Sequence, residues 1–323
     1  MCPDMKPYCV LLAFLLPLSA QVKIEQGDNR ITVQIDGKPY TTLFYGPDTM
    51  KPYMYPLRAV SGKIVTRGYP MEKIDGESTD HPHHRGLWFG HGSVNGFTFW
   101  DNEVSQKTAK TGHMTLKHVD RLTSGKKSGS LAIQFEWQDA RGKPLLVESR
   151  KMIFYGGAHD RIVDFDATLT ALETAKFVDT KEGTFAIRLA SALEEPSRDS
   201  LPSPKRTGVM TSSTGGHTEK EIWGRQAEWV DYAGDVEGEK LGIAILDHPE
   251  NFRHPTYWHA RGYGLFAANP FGLHDFLNDK TADGSKTLEP GQSMRFRYRV
   301  IIHSGDTASA NLAEKYKQYA AGH

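Results

Sequence analysis

Leu131-Ala132-Ile133-Gln134-Phe135-Glu136-Trp137 alternates apolar and polar side chains, and two longer strand-like runs follow at 145–155 and 161–170. Alternation with a period of two is typical of a strand with one buried and one exposed face. Arg141-Gly142-Lys143 supplies a turn between the first two runs. Three such strands in succession predict an antiparallel meander with one face in water.

The same β character extends over most of the chain beyond residue 20. A hairpin is predicted at 30–45, where Asp36-Gly37-Lys38 forms the turn. The alternating run at 294–303 is expected to close the sheet. Roughly fifteen strand-like segments can be counted from the pattern alone.

A helix is expected only near the C-terminus, from a cap at Asp306 or Thr307 to Tyr316. We therefore predict an all-β protein in which 21–323 forms a single domain. Its predicted architecture is a large antiparallel β-sandwich with a short C-terminal helix.

Residues 1–20 have the composition of a signal peptide. Lys6 provides a positive charge, 9–18 is an apolar run, and Ser19-Ala20 offers a small-residue cleavage site. Both cysteines, Cys2 and Cys9, lie in this segment, so we expect the mature chain to contain neither a disulfide nor a thiolate metal site. The prediction is a secreted or periplasmic protein, and the alternative is an uncleaved amphiphilic anchor.

The charge balance bears on the kind of partner. Lys and Arg number 39, as do Asp and Glu, so the formal net charge is zero. A basic excess, which would favour nucleic acid as a partner, is missing. No window beyond residue 20 is long and apolar enough to predict a membrane span. Aromatic residues make up 11% of the chain, and many adjoin Gly or His, which favours an aromatic-lined ligand site.

The most unusual stretch reads Asp80-His81-Pro82-His83-His84-Arg85-Gly86-Leu87-Trp88-Phe89-Gly90-His91-Gly92. A core strand is not built this way, because buried imidazoles and cations each need a polar partner. A second stretch, from His248 to His259, again combines histidines with Arg, Tyr and Trp. We expect the two stretches to meet in the fold and to line one polar, aromatic-walled pocket.

That pocket is expected to perform metal-free acid–base chemistry on a sugar-like ligand. Histidine can donate or accept a proton near neutral pH with little pKa shift. The predicted catalytic residues are His84 or His83 as the acid and Glu182 or His259 as the base, with Asp101 and Asp275 as the next candidates for the carboxylate. Arg85 and Arg188 are expected to fix an anionic or polarised oxygen. The residues predicted to bind substrate are Tyr55, Arg58, His81, Arg85, Trp88, His91, Arg188, Arg253, His254, Trp258, Asn269 and Phe271.

Two alternatives use the same residues. Neutral imidazole is a common metal ligand, so His81, His83 and His84 can be interpreted as a metal site. Their spacing matches no strong zinc template, and on an extended chain His84 points away from the other two. We therefore predict no metal and no cofactor, with a metal-dependent oxidoreductase as one alternative. The other is a non-catalytic carbohydrate-binding protein, which needs no tuned proton donor.

Three motifs together resemble an exported bacterial family labelled PmoA-like, a domain of unknown function. The motifs lie at 80–89, at 247–251, and at 254–259 together with 263–272. The label refers to a methane oxygenase subunit, which is membrane-embedded, whereas no span is predicted here beyond residue 20. Members of the family are usually found near sugar oxidoreductases and polysaccharide-degrading enzymes, so the resemblance implies carbohydrate metabolism. The predicted sandwich also looks like the galactose-mutarotase supersandwich, in which a His acid is paired with a carboxylate base.

The sequence therefore predicts a secreted carbohydrate-active enzyme that acts on a sugar or keto-sugar derivative. Hydrolysis, elimination and epimerisation all remain open as the reaction type. Neither the sugar nor the oligomeric state follows from the sequence.

Overall fold

Antiparallel strands account for most of the regular structure in residues 21–196 and 205–322, which are the residues that the computed structural model describes. The predicted signal peptide at 1–20 lies outside them. The strands are β1 (Val22–Gly27), β2 (Arg30–Ile35), β3 (Lys38–Phe44), β4 (Tyr53–Tyr55), β5 (Leu87–His91), β6 (His113–Thr123), β7 (Ser128–Gln138), β8 (Pro144–Tyr155), β9 (Asp160–Ala171), β10 (Ala175–Phe177), β11 (Gly183–Arg188), β12 (Val209–Ser212), β13 (Trp229–Val236), β14 (Glu239–Asp247), β15 (Tyr257–Ala260), β16 (Leu265–Asn269), β17 (Lys286–Leu288) and β18 (Ser293–Ser304). The helices are α1 (Glu219–Ile222), α2 (Leu273–Phe276) and α3 (Leu312–Ala320), and short 3₁₀ turns lie at Val104–Gln106 and Ser191–Leu193.

These strands form two eight-stranded sheets and one two-stranded sheet within the described residues. The first sheet has the order β1-β2-β3-β4-β5-β11-β16-β15, and the second has the order β12-β13-β14-β18-β9-β8-β7-β6. Strands β10 and β17 form the small sheet. The prediction of a large antiparallel β-sandwich is confirmed, and the predicted meander is β7, β8 and β9, which are neighbours in the second sheet.

The core lies between the two large sheets, where aromatic rings from both meet. Phe89 of β5 contacts Trp137 of β7 and Phe165 of β9, with ring centroids 5.9 and 5.2 Å apart. Phe185 of β11 stacks on Tyr298 of β18 at 4.6 Å. All five side chains are buried, and each such burial stabilises the fold by roughly 1.5–3 kcal/mol. The apolar side chains that alternate along the strands therefore pack the two sheets together.

Two expectations about the C-terminal part were wrong. Strand β18 does not close the sheet but lies between β14 and β9, because the β13–β14 hairpin pairs with its other edge. The helix begins at Leu312 and not near Asp306. Asp306 instead accepts a hydrogen bond from the Ser309 backbone in a turn, and Asn311 has a left-handed backbone with a φ of 51° just before the helix.

The outer face of the first sheet points away from the second sheet and carries the other half of the strand side chains. Strand register places Tyr53, Trp88, Ala186, Ala267 and His259 in one row across β4, β5, β11, β16 and β15. Neighbouring strands are about 4.8 Å apart, so the backbones of Trp88 and His259 are separated by roughly 14 Å along this row.

None of the helices in the described residues is long and apolar enough to cross a membrane.

Candidate functional site

Four rings are stacked on the outer face of the first sheet. His81 lies between His84 and Tyr263, with ring centroids 4.7 and 5.7 Å away and interplanar angles of 3° and 9°. His84 lies in turn on Trp88 at 5.2 Å. Trp88 and His84 are buried, whereas the His81 side chain is 43% exposed and Tyr263 is half-buried. The stack therefore leads from the buried sheet to a solvent-facing edge formed by His81 and Tyr263.

Asp80 holds the loop that carries these histidines. Its Oδ1 accepts hydrogen bonds from Arg67 at 2.6 Å and Arg188 at 3.0 Å, and its Oδ2 lies 3.1 Å from His81 Nδ1. Burial opposes ionisation of Asp80, but His81 and Arg188 hold its pKa well below the usual range. Both arginines are fully buried. Asp80 is thus shared by two buried guanidinium groups, and the expected role of Arg188 in fixing a substrate oxygen stays a prediction.

Arg188 also determines which nitrogen of His84 carries the proton. The guanidinium NH1 lies 3.2 Å from His84 Nδ1, and a guanidinium can only donate. Nδ1 therefore accepts, and the neutral ring carries its proton on Nε2. Burial, together with the charges of His83 and Arg188, holds the pKa of His84 well below its usual value. This arrangement favours His84 as a neutral hydrogen-bond donor and not as the predicted acid.

His83 is held between two polar groups. Its Nε2 lies 3.0 Å from Asp101 Oδ1, and its Nδ1 lies 3.0 Å from the Gln106 side-chain amide. A carboxylate only accepts, so Nε2 carries a proton. Burial lowers the pKa of His83 by more than its contact with Asp101 raises it. The contacts of His83 with Asp101 and with Gln106 Oε1 favour a role in positioning Asp101.

Two carboxyl groups, Asp101 and Glu182, lie within electrostatic range of each other and of His81. Burial and the charge of Asp101 raise the pKa of Glu182 to about 7. Burial acts in the same direction on Asp101, but the hydrogen bond from His83 and the charges of Lys51 and His81 outweigh it and lower the pKa of Asp101. Near neutral pH the site therefore combines a carboxyl group that can keep its proton with an ionised carboxylate.

The second histidine stretch reaches this face through His259. The Nδ1 of His259 lies 2.9 Å from the Lys181 backbone oxygen, so Nδ1 donates and Nε2 is left as an acceptor. Burial lowers the pKa of His259 to about 3 in spite of that bond. Trp223 packs against the ring at 4.8 Å, and His81 is near enough for its charge to act on His259.

A cavity of about 560 Å³ opens beside the stack, and we call it the Arg85 cavity. It is lined by Thr42, Phe44, Tyr53, Tyr55, Pro56, Arg58, Pro70, Met71, Glu72 and Arg85. Three residues predicted to bind substrate, Tyr55, Arg58 and Arg85, lie here and not around the histidines. Arg85 is paired with Glu103 and donates to the Tyr53 hydroxyl at 3.2 Å. Its charge is thus balanced by Glu103, and the expectation that it fixes an anionic or polarised oxygen stays a prediction.

Four other residues predicted to bind substrate are fully buried and make their contacts within the fold. His91 and Phe271 pack on each other at 4.7 Å inside the sandwich. Trp258 points into the core and donates its indole N–H to a backbone oxygen at 2.9 Å. Asn269 donates to one backbone oxygen and accepts from the Phe271 backbone N–H. Strand alternation explains Trp258, because its neighbour His259 occupies the outer face.

Arg253 and His254 also lie away from the site, so the expectation that all of 248–259 joins the pocket was wrong. Arg253 donates to the backbone oxygens of three residues, Pro270, Gly284 and Ser285. His254 Nδ1 lies 2.8 Å from Asp247 Oδ2, and its Nε2 contacts Tyr316 of α3. Asp275, a candidate carboxylate, instead accepts a hydrogen bond from the Lys181 backbone. The polar groups of this stretch mainly secure turns.

Sequence reasoning missed Tyr263, Trp100 and the buried Lys51. Trp100 packs on Trp88 at 5.1 Å, and Lys51 donates to the Trp100 backbone oxygen at 2.8 Å. Burial lowers the pKa of Lys51 to about 7. Tyr263 opens the motif at 263–272, so the signal for it was present in the sequence, whereas the pattern around Lys51 contains none.

Metal-ligating side chains do not converge in the described residues. Nowhere in 21–196 or 205–322 do three or more His, Cys, Asp or Glu side chains group so that they could hold a metal ion. The rings of His81 and His84 are parallel, and each uses Nδ1 for a neighbouring charged group.

Over residues 30–317 the chain matches DUF6807, a family of unknown function. No curated protein is similar enough in sequence to count as a relative.

Several solved structures align with this chain at low sequence identity. A GH36 alpha-galactosidase from Geobacillus stearothermophilus gives a TM-score of 0.41 at 11% identity, over 88% of this chain and 40% of that chain. A galactose mutarotase-like protein from Clostridium acetobutylicum gives 0.42 at 10% identity, over 88% and 98%. A galactose 1-epimerase from Lactobacillus acidophilus gives 0.36 at 8% identity, over 90% and 100%. The chain thus spans about 40% of the length of the alpha-galactosidase.

Proposed function

The chain belongs to DUF6807, a family of unknown function, and we propose that it is a carbohydrate-active enzyme that uses acid–base catalysis on a sugar or keto-sugar derivative. The observation that carries this proposal is the pair formed by Glu182 and Asp101, whose pKa values are shifted apart beside the exposed His81. Pairs of carboxyl groups with pKa values separated by their environments are a recurrent way to hold an acid and a base in one site.

Glu182 is the proposed general acid and Asp101 the proposed base. With a pKa of about 7, Glu182 keeps a proton near neutral pH and can transfer it to a substrate oxygen. In hydrolysis, Glu182 protonates the leaving oxygen while Asp101 takes a proton from the attacking water. In elimination, Asp101 removes a proton from a carbon beside a carbonyl group, and the oxygen substituent on the next carbon leaves with a proton from Glu182. In epimerisation, Asp101 removes the same proton while Glu182 protonates the carbonyl oxygen; the carbon is then reprotonated on its opposite face, and Glu182 takes its proton back.

The surrounding groups suit a sugar. His84 offers an N–H donor at Nε2 and His259 an acceptor at Nε2, so hydroxyl groups find both kinds of partner on one face. His81 and Tyr263 present the edges of two stacked rings, which a sugar ring can contact. The nearby cations Arg188 and Arg85 are paired with Asp80 and Glu103.

We also propose export, so that the enzyme acts in the periplasm or outside the cell. The support is the signal-peptide composition of residues 1–20. Sequencing the N-terminus of the protein recovered from its native compartment is the test, and a protein that begins at Gln21 is the expected result.

The catalytic test uses the chain from Gln21 to His323 with a panel of neutral sugars, glycosides and 3-keto sugars, and products are followed by NMR. We expect Glu182→Gln and Asp101→Asn each to lower turnover by about 10²–10⁴-fold. His118→Gln is the matched control, because His118 pairs with Asp120 on β6, in the second sheet. Unchanged turnover in both carboxyl variants would show that the assigned roles are wrong.

A second candidate function is a non-catalytic sugar-binding protein. It is favoured by the exposed edge of His81 and Tyr263, which can hold a ring without any proton transfer. Sugar that binds, is recovered intact after long incubation, and binds Glu182→Gln equally well would select this candidate over the enzyme.

A further inference from the structure

The acid–base site leaves the Arg85 cavity unused, and we infer that this cavity is a second sugar subsite. The substrate would then be a neutral oligosaccharide or glycoside with one ring at Glu182 and Asp101 and the next in the cavity. This inference rests on the proposed function, because it extends the same substrate beyond the reacting ring.

The cavity and the acid–base site share a wall. Asp101 and Glu103 lie two residues apart, just before the 3₁₀ turn Val104–Gln106. Asp101 accepts a hydrogen bond from His83, and Glu103 binds Arg85, which lines the cavity. Tyr53, which lines the cavity, is also the cross-strand neighbour of Trp88 in the ring stack. The cavity and the ring stack therefore lie on neighbouring strands, β4 and β5.

The cavity has the chemistry of a sugar subsite. Phe44 stacks on Tyr53 at 5.2 Å and an interplanar angle of 23°, and Phe44 is half-buried. The lining also has polar groups, which are Arg58, Glu72 and the Tyr55 hydroxyl. Its volume of about 560 Å³ falls within the range of small-molecule sites, about 300–1,000 Å³.

The charges of the lining select an uncharged ring. Arg85 is balanced by Glu103, and Arg58 and Glu72, the other charged residues of the lining, carry opposite charges. Arg58 also donates to the Gly62 backbone oxygen at 3.0 Å. A phosphate or uronate would find no unbalanced excess of positive charge here.

A different cavity supplies the control. It has a volume of about 620 Å³ and lies beside Trp229 and Leu312, on the side of the second sheet that α3 covers. Val209 is at its edge and is 51% exposed. A larger apolar side chain at Val209 fills this cavity and touches neither the acid–base site nor the Arg85 cavity.

The experiment compares methyl glycosides of glucose, galactose, mannose and xylose with the corresponding disaccharides and trisaccharides, by calorimetry and by turnover. Met71→Trp fills the Arg85 cavity, Phe44→Leu removes its ring while keeping an apolar side chain, and Val209→Trp fills the control cavity. We expect disaccharides to bind at least tenfold more tightly than methyl glycosides. Met71→Trp and Phe44→Leu should remove most of that advantage without weakening methyl glycoside binding, and Val209→Trp should leave it intact.

The outcomes separate the two proposals. Equal affinity and turnover for one and two rings, with turnover still dependent on Glu182, overturns the subsite and keeps the enzyme. A length preference that depends on Met71 and Phe44 but comes without turnover keeps the subsite and overturns the enzyme. Failure of every sugar to bind overturns both.

Discussion

The Nε2 atom of His83 lies 3.0 Å from Oδ1 of Asp101. The ring is 6% exposed and the carboxylate 49% exposed, so a buried imidazole orients a carboxylate that reaches solvent. Gln106 holds the other ring nitrogen at 3.0 Å, which leaves the imidazole little freedom to turn. In spite of burial, this contact helps to lower the pKa of Asp101 and so favours its ionised form.

Replacing His83 should move the acid side of the pH–rate profile. The hydrogen bond from His83 lowers the pKa of Asp101, so His83→Leu should raise that pKa and shift the acid limb to higher pH. Turnover at neutral pH should fall about tenfold or more. His83→Asn, which keeps an N–H donor, should restore part of both effects. An acid limb that stays in place in His83→Leu would mean that His83 does not act through Asp101.

The basic side of the profile should report Glu182. The general acid must be protonated, and its pKa is raised to about 7, so kcat/KM should fall as the pH rises through about 7. Below that value activity should persist until Asp101 becomes protonated, which occurs below its usual pKa of about 3.9. Measurement of kcat/KM between pH 3 and 10 tests this, and a profile that is flat from pH 6 to pH 9 contradicts it.

Asp80→Asn should destabilise the fold more than a surface substitution of the same kind. The change leaves two fully buried guanidinium groups, Arg67 and Arg188, without their carboxylate. Removing one partner of a buried ion pair costs about 3–5 kcal/mol, and because Asp80 is half-exposed we expect the lower end, about 3 kcal/mol. Asp166→Asn, which breaks the exposed pair with Arg295, should cost about 0–1 kcal/mol. Urea unfolding at pH 7 provides both values.

The buried pair of His303 and Asp231 should make stability depend on pH. Burial lowers the pKa of His303, but Asp231, whose Oδ1 lies 3.1 Å from Nε2, raises it above its usual value overall. A raised folded-state pKa gives stability that is complete below about pH 6.5 and is lost as the pH rises through the folded-state value. Thermal unfolding from pH 5 to 9 should therefore show a steeper loss above pH 6.5 in the wild type than in His303→Gln. Parallel curves for the two proteins would contradict this assignment.

Chelation should leave the protein unchanged if the chemistry is that of Glu182 and Asp101. We expect dialysis against EDTA to alter neither Tm nor turnover in protein purified without a His tag. A loss of turnover that is restored by one added metal would instead support the metal-dependent alternative.

The sequence predicted the sandwich well and the site only in part. The alternating runs around Phe135 and Phe165 determine which face is buried, and this needs no long-range information. The polar residues that meet are determined instead by strand order. For example, β11 lies between β5 and β16, and Glu182 comes just before β11. The motif at 248–259 was interpreted as one unit, although alternation sends Trp258 inward and His259 outward. Arg188 was predicted as a substrate-binding group because the sequence does not show that it pairs with Asp80.

The central claim is that Glu182 holds a proton near neutral pH beside an ionised Asp101. The most direct test is a ¹³C NMR titration of the side-chain carboxyl groups, with Glu182 assigned by its absence in Glu182→Gln. The account predicts a Glu182 resonance that titrates near pH 7 and moves to lower pH in Asp101→Asn, because the neighbouring negative charge is gone. A Glu182 carboxyl group that titrates near its unperturbed value of about 4.3, and does so equally in Asp101→Asn, would contradict the account.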